Sequence, residues 1–378
     1  MMDLVVSAGE PSGDLQGAAL IKALLKINPD LKIGAVAGPR MRELPITCLE
    51  SMENLQVMGF VDVALALPTI LQRFYALRQN ILSLNPKAFV AIDYPGFHLR
   101  MHRSLKKKGF SGQCIHYVCP TVWAWRKGRI GFMEKYLDQL LAILPFEPAC
   151  FQGTKLAVEY VGHPLTEAVE QFQPDASFRS SYGIREQEKV LALFPGSRPQ
   201  EITRNLPLML EVAKRLQAVD SRLRLAISLS SEKQAELVYS LVGSREALFI
   251  PTVETYDLMH VAHLALAKSG TVTLELALHK TPTIVQYAIK PLDRFIAQKI
   301  FRISLPYYSL PNIVLQEEVF SELFGPKLTE EALFAAAKDL WFDETKRAAC
   351  KARCNAVWDK LGTGAASKLA AERVIKST

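Results

Sequence analysis

Short apolar runs alternate with longer stretches of helical periodicity along the first half of the chain. The runs are rich in Val, Ile, Leu and Ala without regular polar alternation, which is typical of strands buried on both faces of a parallel sheet. We predict strands at 4–7, 31–36, 88–92, 113–118, 140–144 and 158–161. The clearest helix is predicted at 14–27, with Ser12 as its N-cap and Pro29 beyond its end. This alternation predicts a doubly wound α/β domain.

The same alternation restarts in the second half. We predict strands at 190–194, 223–228, 248–250, 264–267 and 283–287, and a helical pattern from residue 330 onward. The predicted organisation is an N-terminal Rossmann-like domain over 1–165, a polar linker over 166–188, a second domain over 189–345, and C-terminal helices over 346–378 that can pack back on the first domain. The fold class is therefore α/β, with two doubly wound parallel sheets facing a central cleft.

Length and composition agree with two globular domains. A chain of 378 residues exceeds what one core usually covers, and 49% hydrophobic with 22% charged residues is near the average for folded proteins. The longest apolar stretch, 57–71, is interrupted by Asp62 and Pro68 and is too short to span a membrane. The N-terminus has no signal-peptide pattern and the six cysteines form no Cys-x-x-Cys pair, so we expect a cytoplasmic chain with reduced thiols.

The net charge of +7 favours polyanionic partners. Nucleic acid, phosphorylated small molecules and an anionic membrane surface all satisfy that charge. The basic residues are interpreted as spread along the chain, which disfavours a nucleic-acid binder. Small-residue loops after parallel strands favour a phosphorylated substrate.

The first such loop, SAGEPSGD at 7–14, joins a predicted strand to a predicted helix. It is neither the dinucleotide fingerprint nor a P-loop. Its backbone N–H groups and Ser12 can meet a polar or phosphorylated substrate at the helix start, and a tight turn with close helix packing is the alternative. The candidate substrate residues here are Gly9, Glu10, Ser12 and Gly13.

Two loops in the second half together predict a nucleoside-diphosphate site. In the loop at 194–201, Arg198 can hold a phosphate through two parallel hydrogen bonds. In the loop at 268–275, small residues precede a helix, and a carboxylate one turn further on can accept hydrogen bonds from vicinal sugar hydroxyls. The predicted donor-site residues are Gly196, Ser197, Arg198, Ser269, Gly270, Thr271 and Glu275.

Two further segments of the first half carry candidate chemistry. Asp93 ends a predicted strand, and Pro95 and Gly96 turn the chain after it, which makes Asp93 a candidate general base. Capping of the next helix is the alternative role. The segment HYVCPTVWAWR at 116–126 contains Trp123 and is too aromatic for a solvent loop, so we expect it to pack against a ligand or the other domain.

Metal and cofactor chemistry find little support in the sequence. His260 and His263 have no third ligand at a recognisable spacing, and no Asp-x-Asp pair occurs. The Gly-x-Ser-x-Gly nucleophile elbow is also absent. We therefore expect no metal and no cofactor, and hydrolase and kinase functions are disfavoured.

The sequence resembles the lipid-A-disaccharide synthase family in register from residue 3 to about 320. Pro199 after PGSR, and Cys119 where Ser is common, depart from the family pattern without changing a proposed catalytic group. The matching motifs are SAGEPSGD at 7–14, VAGPRM at 36–41, VMGFVDV at 57–63, HYVCPTVWAWR at 116–126, LPFE at 144–147, VGHP at 161–164, PGSR at 195–198 and SLP at 309–311 between Tyr308 and Asn312.

The resemblance implies a two-domain, inverting glycosyltransferase of the B type (GT-B). Such an enzyme condenses UDP-2,3-diacylglucosamine with 2,3-diacylglucosamine 1-phosphate (lipid X), giving UDP and a β-1,6 disaccharide. Asp93 matches the family's proposed base, and Arg198 and Asn312 match positions at its donor and catalytic site. The resemblance also implies a homodimer with exchanged C-terminal portions.

Acylated substrates imply a surface that faces the cytoplasmic side of the inner membrane. The segment 58–71 is apolar and is followed by Arg73 and Arg78, which is typical of an interfacial helix, and a core helix is the alternative. Met58, Gly59 and Trp123 complete the candidate acceptor residues. The competing functions are another UDP-sugar enzyme of the same fold, either an epimerase or a peptidoglycan-type glycosyltransferase, and more remotely a non-enzymatic membrane-surface binder.

Overall fold

The computed structural model describes residues 2–55, 60–288, 305–362 and 364–378, and side chains are described outside 60–67. The chain divides into two compact α/β units. Unit 1 contains Met1–Glu167 and Thr363–Thr378, and unit 2 contains Ala168–Gly362.

Unit 1 is built on a seven-stranded parallel sheet, as far as the described residues show. Strand β1 is fully buried because helices cover both faces of the sheet, which explains why its sequence, LVVSA, is apolar apart from Ser7. The order along the sheet is β3-β2-β1-β4-β5-β6-β7. The strands are β1 (Leu4–Ala8), β2 (Ile33–Ala37), β3 (Thr47–Ser51), β4 (Ala88–Ile92), β5 (Gln113–Tyr117), β6 (Gln139–Ala142) and β7 (Ala157–Tyr160).

The helices of unit 1 include one from the end of the chain. That helix packs on the first helix of the unit and contributes Ala370, Ala371 and Val374 to the core. The helices are α1 (Pro11–Ile27), α2 (Pro39–Arg42), α3 (Phe60–Leu84), α4 (Pro95–Lys107), α5 (Arg129–Tyr136), α6 (Pro164–Glu170), which runs into unit 2, and α15 (Ala366–Lys376).

Unit 2 contains a six-stranded parallel sheet within the described ranges, in the order β10-β9-β8-β11-β12-β13. Its strands are β8 (Lys189–Phe194), β9 (Leu223–Ser228), β10 (Leu248–Ile250), β11 (Ala262–Lys268), β12 (Thr283–Tyr287) and β13 (Ser321–Phe324). Its helices are α7 (Phe178–Ser181), α8 (Pro199–Val219), α9 (Glu232–Val242), α10 (Thr255–Val261), α11 (Thr271–Leu278), α12 (Leu310–Leu315), α13 (Glu330–Phe342) and α14 (Glu344–Leu361).

Each sheet has one point where the strand order reverses. In unit 1 this point lies between β1 and β4, and in unit 2 it lies between β8 and β11. Crevices outside the carboxyl ends of such strand pairs are where doubly wound sheets bind ligands. The four loops that follow these strands carry Gly9, Asp93, Arg198 and Ser269, which are all sequence-predicted site residues.

Several expectations need correction. Helix α1 begins at Pro11 with Glu10 as N-cap, so Ser12 is not the cap; proline at the first helical position has no N–H to leave unpaired. The segment predicted as a linker belongs to unit 2 from Ala168 onward. Of the predicted C-terminal block, α14 stays in unit 2, where Cys354 and Val357 are buried, and only the residues after Gly362 join unit 1.

The six cysteines are free. Among the helices of the described residues, none has the combination of length and apolar content that crossing a bilayer requires.

Candidate active site

The loops after β1 and β4 meet at the switch point of unit 1. Ser7 at the end of β1 places its Oγ 2.9 Å from Nε2 of His98 in α4. A Cβ atom on Gly9 would lie 2.3 Å from Cδ1 of Tyr94, so only glycine fits beneath that ring. The structure therefore brings the 7–14 motif and the Asp93 segment together.

Asp93 sits on an unusual stretch of backbone. Asp93 and Tyr94 both adopt the left-handed region, with φ of +47° and +48°, which non-glycine residues seldom occupy. Two hydrogen bonds hold this conformation: the Asp93 N–H donates to Tyr117 O at 2.9 Å, and His98 Nδ1 lies 2.7 Å from Asp93 O. Tyr94 is the N-cap of α4 and no side chain caps that helix, so the capping alternative for Asp93 is wrong.

The tautomer of His98 follows from its two partners. A carbonyl oxygen only accepts hydrogen bonds, so Nδ1 carries the proton and donates to Asp93 O, while Nε2 accepts from the Ser7 hydroxyl. Burial lowers the pKa of His98 to about 4, which keeps this neutral form at physiological pH. Burial also raises the pKa of the Asp93 carboxyl, against an opposing hydrogen bond from the Tyr94 backbone, which strengthens Asp93 as a base.

Two more histidines lie behind His98. The ring centroids of His98 and His116 are 6.3 Å apart, and those of His102 and His116 are 5.7 Å apart. Both ring nitrogens of His102 and of His116 are buried and have no hydrogen-bond partner among the described residues. Burial lowers the pKa of His116 to about 3, so this cluster is neutral. No group of three His, Cys, Asp or Glu within the described part of the chain is arranged to hold a metal ion.

The 7–14 motif also has a structural function that the sequence did not reveal. The buried Asp14 carboxylate accepts hydrogen bonds from the backbone N–H groups of Gly38, Arg40 and Met41 at 2.8 to 3.1 Å. Asp14 thus fixes the VAGPRM segment against α1. Glu10 and Ser12 are exposed at the start of that helix.

Trp123 packs inside unit 1. Its ring meets Phe146 edge to face with centroids 5.5 Å apart. The neighbouring Glu147 is buried and accepts hydrogen bonds from the N–H groups of Ile143 and Leu144, and burial raises its pKa to about 7. The aromatic loop is therefore anchored on the LPFE motif, and its contact with a ligand stays a prediction.

One carboxylate joins the two predicted donor loops at the switch point of unit 2. Glu201 Oε2 accepts from the Ser197 N–H at 3.2 Å, and Oε1 accepts from Lys268 Nζ at 3.0 Å. Gly196 has a φ of +119°, and a Cβ there would lie 2.8 Å from Cβ of Glu201. The Arg198 side chain is 82% exposed and its guanidinium lies 3.8 Å from Glu201. Sequence analysis missed Glu201 and Lys268.

The loop before α11 partly matches its predicted role. The N–H of Ser269 is not available to a ligand because it donates to Gln286 O on β12 at 3.0 Å. Gly270 is the N-cap and Thr271 the exposed first residue of α11. The half-buried Glu275 accepts from the Tyr256 hydroxyl at 3.2 Å, and burial raises the pKa of its carboxyl against that hydrogen bond.

Asn312 is fully buried and uses its whole amide internally. Its Nδ2 donates to Phe320 O and to Glu322 Oε1, and its Oδ1 accepts from the N–H groups of Val319 and Phe320. Glu322 also accepts from the backbone N–H and the hydroxyl of Ser309. This geometry makes Asn312 a positioning residue for the 308–322 segment, and its catalytic role stays a prediction.

The predicted membrane segment is described only in part. Met58 and Gly59 lie outside the described residues, and α3 is described without side chains over 60–67. Further along α3, Leu71 is 44% exposed and Tyr75 is 50% exposed.

Two doubly wound parallel units with small-residue loops at their switch points define the GT-B class of α/β proteins, and solved structures agree. UDP-GlcNAc 2-epimerase from Neisseria meningitidis has a TM-score of 0.69 at 12% identity, covering 99% of this chain and 100% of that chain. The glycotransferase of kitacinnamycin has a TM-score of 0.65 at 13% identity, covering 100% of this chain and 99% of that one. These likenesses show the fold alone.

The family is shown by sequence. The family model described as lipid-A-disaccharide synthetase matches residues 4–374, and the chain belongs to that family. Lipid-A-disaccharide synthase of Chlamydia trachomatis serovar D is 41% identical over 325 residues, which is 85% of this chain and 53% of that protein. The synthase of Trichlorobacter lovleyi is 32% identical over 373 residues, 98% of this chain and 96% of that protein. The chain spans about half the length of its chlamydial relatives.

Proposed function

We propose that the chain is an inverting hexosyltransferase, a lipid-A-disaccharide synthase. It condenses UDP-2,3-diacylglucosamine with lipid X, and the products are the β-1,6 lipid A disaccharide 1-phosphate and UDP. The observation that carries the proposal is the family match over residues 4–374. The strained Asp93 backbone at the switch point of unit 1 supports it, because strain of this kind is concentrated at functional sites.

On the acceptor side, Asp93 takes the proton of the 6-hydroxyl while that oxygen attacks the anomeric carbon of the donor. The glycosidic bond forms as the bond to the UDP oxygen breaks, and the electron pair leaves with UDP. Attack opposite the leaving group inverts the anomeric carbon. The raised pKa of Asp93 brings its basicity closer to the working pH. Gly9, Glu10, Ser12 and Gly13, with Met58, Gly59 and Trp123, are the proposed acceptor residues.

On the donor side, the exposed guanidinium of Arg198 and the start of α11 meet the diphosphate. Glu201 fixes both loops through Ser197 and Lys268. The epimerase from Neisseria meningitidis, which shares the fold, is described as bound to UDP-GlcNAc, which supports a UDP-sugar donor here. Glu275 is the proposed acceptor of sugar hydroxyl groups, and no metal or cofactor takes part in this scheme.

The test is transfer by the purified chain from UDP-2,3-diacylglucosamine to radiolabelled lipid X in detergent, with EDTA present. We expect a labelled disaccharide 1-phosphate and one UDP per transfer in the wild type. Lys107→Ala changes an exposed residue of α4, serves as a control for the effect of a surface substitution, and should retain full activity. Absence of disaccharide with and without Mg²⁺ would contradict the proposed function, and product only with Mg²⁺ would contradict metal independence.

We also propose that the protein acts as a homodimer at the cytoplasmic face of the inner membrane. Both substrates carry acyl chains, and the exposed Leu71 and Tyr75 of α3 offer apolar surface for a bilayer interface. Sedimentation analysis and flotation with vesicles measure these two properties separately.

A second candidate function is epimerisation of a UDP-sugar, because several solved structures of the same fold are UDP-GlcNAc 2-epimerases. An epimerase would invert C2 of UDP-GlcNAc without any acceptor. Proton NMR of UDP-GlcNAc incubated with the chain distinguishes this function, and we expect no change in the spectrum.

A further inference from the structure

The net positive charge of the chain is concentrated in one segment of unit 1. Residues 94–137 contain nine Lys and Arg residues and one Glu, a formal charge of +8, whereas the whole chain carries +7. The basic residues are spread along the chain as expected, but in this segment acidic residues are nearly absent, so the net positive charge is local. This segment contains α4, the loop after β5, and α5, and the two helices pack against each other.

Three arginines of this segment lie close together. The guanidinium carbons of Arg126 and Arg129 lie 4.1 and 5.9 Å from the ring centroid of Trp125, so both charges flank one indole. Arg100 on α4 donates to Gly96 O at 2.9 Å, which holds its side chain along the helix. Burial and then the charges of Arg126 and Arg100 lower the pKa of Arg129, which places both of these cations near Arg129. We call Arg100, Arg126 and Arg129 the arginine cluster.

Among the described side chains, no carboxylate supplies a counter-charge for this cluster. Glu134, the single acidic residue of the 94–137 segment, accepts from the Lys155 backbone N–H at 2.8 Å. Asp138, just beyond the segment, pairs with Lys106 at 2.6 Å. Within the described ranges, none of the three guanidinium groups forms an ion pair with a carboxylate. Like charges held together unneutralised destabilise a fold, which is expected where an anionic ligand completes the site.

The cluster also lies near the carboxyl ends of the strands that carry the proposed base. Strands β4 and β5 are neighbours, and the backbone of Asp93 is bonded to Tyr117 at the end of β5. The loop with Trp125 and Arg126 follows that strand end, and α4 with Arg100 follows Asp93 directly. A ligand held by the arginines would therefore reach toward Asp93.

We propose that the arginine cluster binds a phosphomonoester, and that in the proposed reaction this group is the 1-phosphate of the acceptor. The inference deepens the proposed function and rests on it for the identity of the ligand. Guanidinium groups match phosphate oxygens through parallel hydrogen bonds, and the Trp125 indole holds two of them in place. An anionic bilayer is the weaker occupant, because it would not select arginines gathered beside a half-buried indole over the exposed lysines further along α4.

The test compares two acceptors in detergent: lipid X and 2,3-diacylglucosamine without the phosphate. For Arg126→Ala/Arg129→Ala we expect KM for lipid X to rise at least tenfold, with KM for the donor unchanged. KM for the dephosphorylated acceptor should be the same in the variant and the wild type. The matched control is Lys107→Ala/Lys108→Ala, which removes the same charge from exposed residues of the same segment. Arg129→Lys should recover only part of the loss, because lysine lacks the planar fork.

Equal loss with both acceptors would overturn the proposal. So would a loss seen only on anionic vesicles and reproduced by the lysine control, since that result assigns the surface to the bilayer. If the wild type transfers to neither acceptor, the proposed function fails, and direct titration still decides this inference. In that titration the wild type should bind glucosamine 1-phosphate and inorganic phosphate at least tenfold more tightly than Arg126→Ala/Arg129→Ala, and equal binding would reject the site.

Discussion

His98 Nδ1 donates a hydrogen bond to the carbonyl oxygen of Asp93 at 2.7 Å, across five positions of sequence. This bond holds a left-handed backbone that a non-glycine residue would otherwise leave, and Ser7 fixes the other side of the same imidazole. His98 is therefore a positioning residue for the proposed base, since it acts on the Asp93 backbone and not on a substrate.

Replacing His98 tests this arrangement. His98→Leu removes the donor, so the Asp93 carboxyl should lose its orientation and kcat should fall ~10–100-fold with KM nearly unchanged. His98→Asn keeps an N–H near the position of Nδ1 and should recover much of kcat. Steady-state kinetics in detergent measure both. An equal loss in the two variants would show that only packing matters at this position.

Asp93→Asn should lower kcat by ~10²–10⁴-fold, because the amide cannot accept the acceptor proton. Burial raises the pKa of the wild-type carboxyl, so kcat/KM should fall on the acidic side with an apparent pKa above the ordinary aspartate value of 3.8. The pH profile of kcat/KM measures it, over a range where the protein stays folded. A profile that stays flat down to pH 4 would remove Asp93 as the titrating base.

Glu201→Gln should weaken the donor site. The amide cannot neutralise Lys268, whose side chain is 16% exposed, and the bond to the Ser197 N–H also weakens. We expect KM for the UDP-sugar to rise about tenfold with KM for lipid X unchanged. Glu331→Gln, at an exposed glutamate whose side chain is 82% exposed, is the control. A rise in both substrate constants would contradict a role confined to the donor site, and general unfolding would instead lower the apparent kcat and the thermal midpoint.

The loops of the candidate site could be predicted from the sequence, whereas most of the hydrogen bonds within them could not. Gly9, Asp93, Arg198 and Ser269 follow apolar runs that are easy to recognise, because their strands are central and buried on both faces. Strands β3 and β13 were missed because their short sequences, TCLES and SELF, are polar and partly exposed, whereas the edge strands β7 and β10 are more apolar and were predicted. A short strand with few apolar residues carries little pattern for sequence analysis to detect.

The bonds that organise the site join distant parts of the chain. Ser7 and His98 are 91 residues apart, and Glu201 and Lys268 are 67 residues apart. No local periodicity encodes such pairs. They form because each sheet brings the ends of its strands together. Asn312 is the opposite case, in which the motif was recognised but the structure shows a positioning role. Its motif resembles that of a catalytic residue, whereas its amide forms its hydrogen bonds within the 308–322 segment.

Stability should fall in acid because of the buried histidines. The pKa values of His98 and His116 are lowered by burial to about 4 and about 3, whereas the unfolded value is about 6.5. Between pH 6.5 and these lowered values the unfolded chain therefore binds more protons, and the free energy of unfolding should drop by up to ~1.4 kcal/mol per pH unit for each histidine. Above pH 6.5 these groups add no pH dependence.

His116→Leu removes the contribution of one histidine to this pH dependence. Its urea unfolding at pH 7.5, 6 and 5 should show a shallower acid loss than the wild type, by about one proton. Glu147, whose pKa burial raises to about 7, gives a slope of opposite sign, so the difference between variant and wild type is the quantity to compare. Parallel curves for the two proteins would show that His116 takes up its proton at the same pH in the folded and unfolded states, which contradicts the lowered pKa.

Helix α3 carries exposed apolar side chains beyond residue 67. Leu71 is 44% exposed and Tyr75 is 50% exposed, one helical turn apart, beside the segment that resembles an interfacial helix. If they enter a bilayer, Leu71→Ser/Tyr75→Ser should lower vesicle binding by at least tenfold, since each buried side chain contributes ~1–3 kcal/mol. The thermal midpoint should stay within a few degrees because both positions are already exposed. Val253→Ser removes an 89% exposed side chain from unit 2 and should leave vesicle binding unchanged. Unfolding or aggregation of the α3 variant would instead show that this helix face belongs to the core, and an equal effect of Val253→Ser would mean that vesicle binding is not specific to α3.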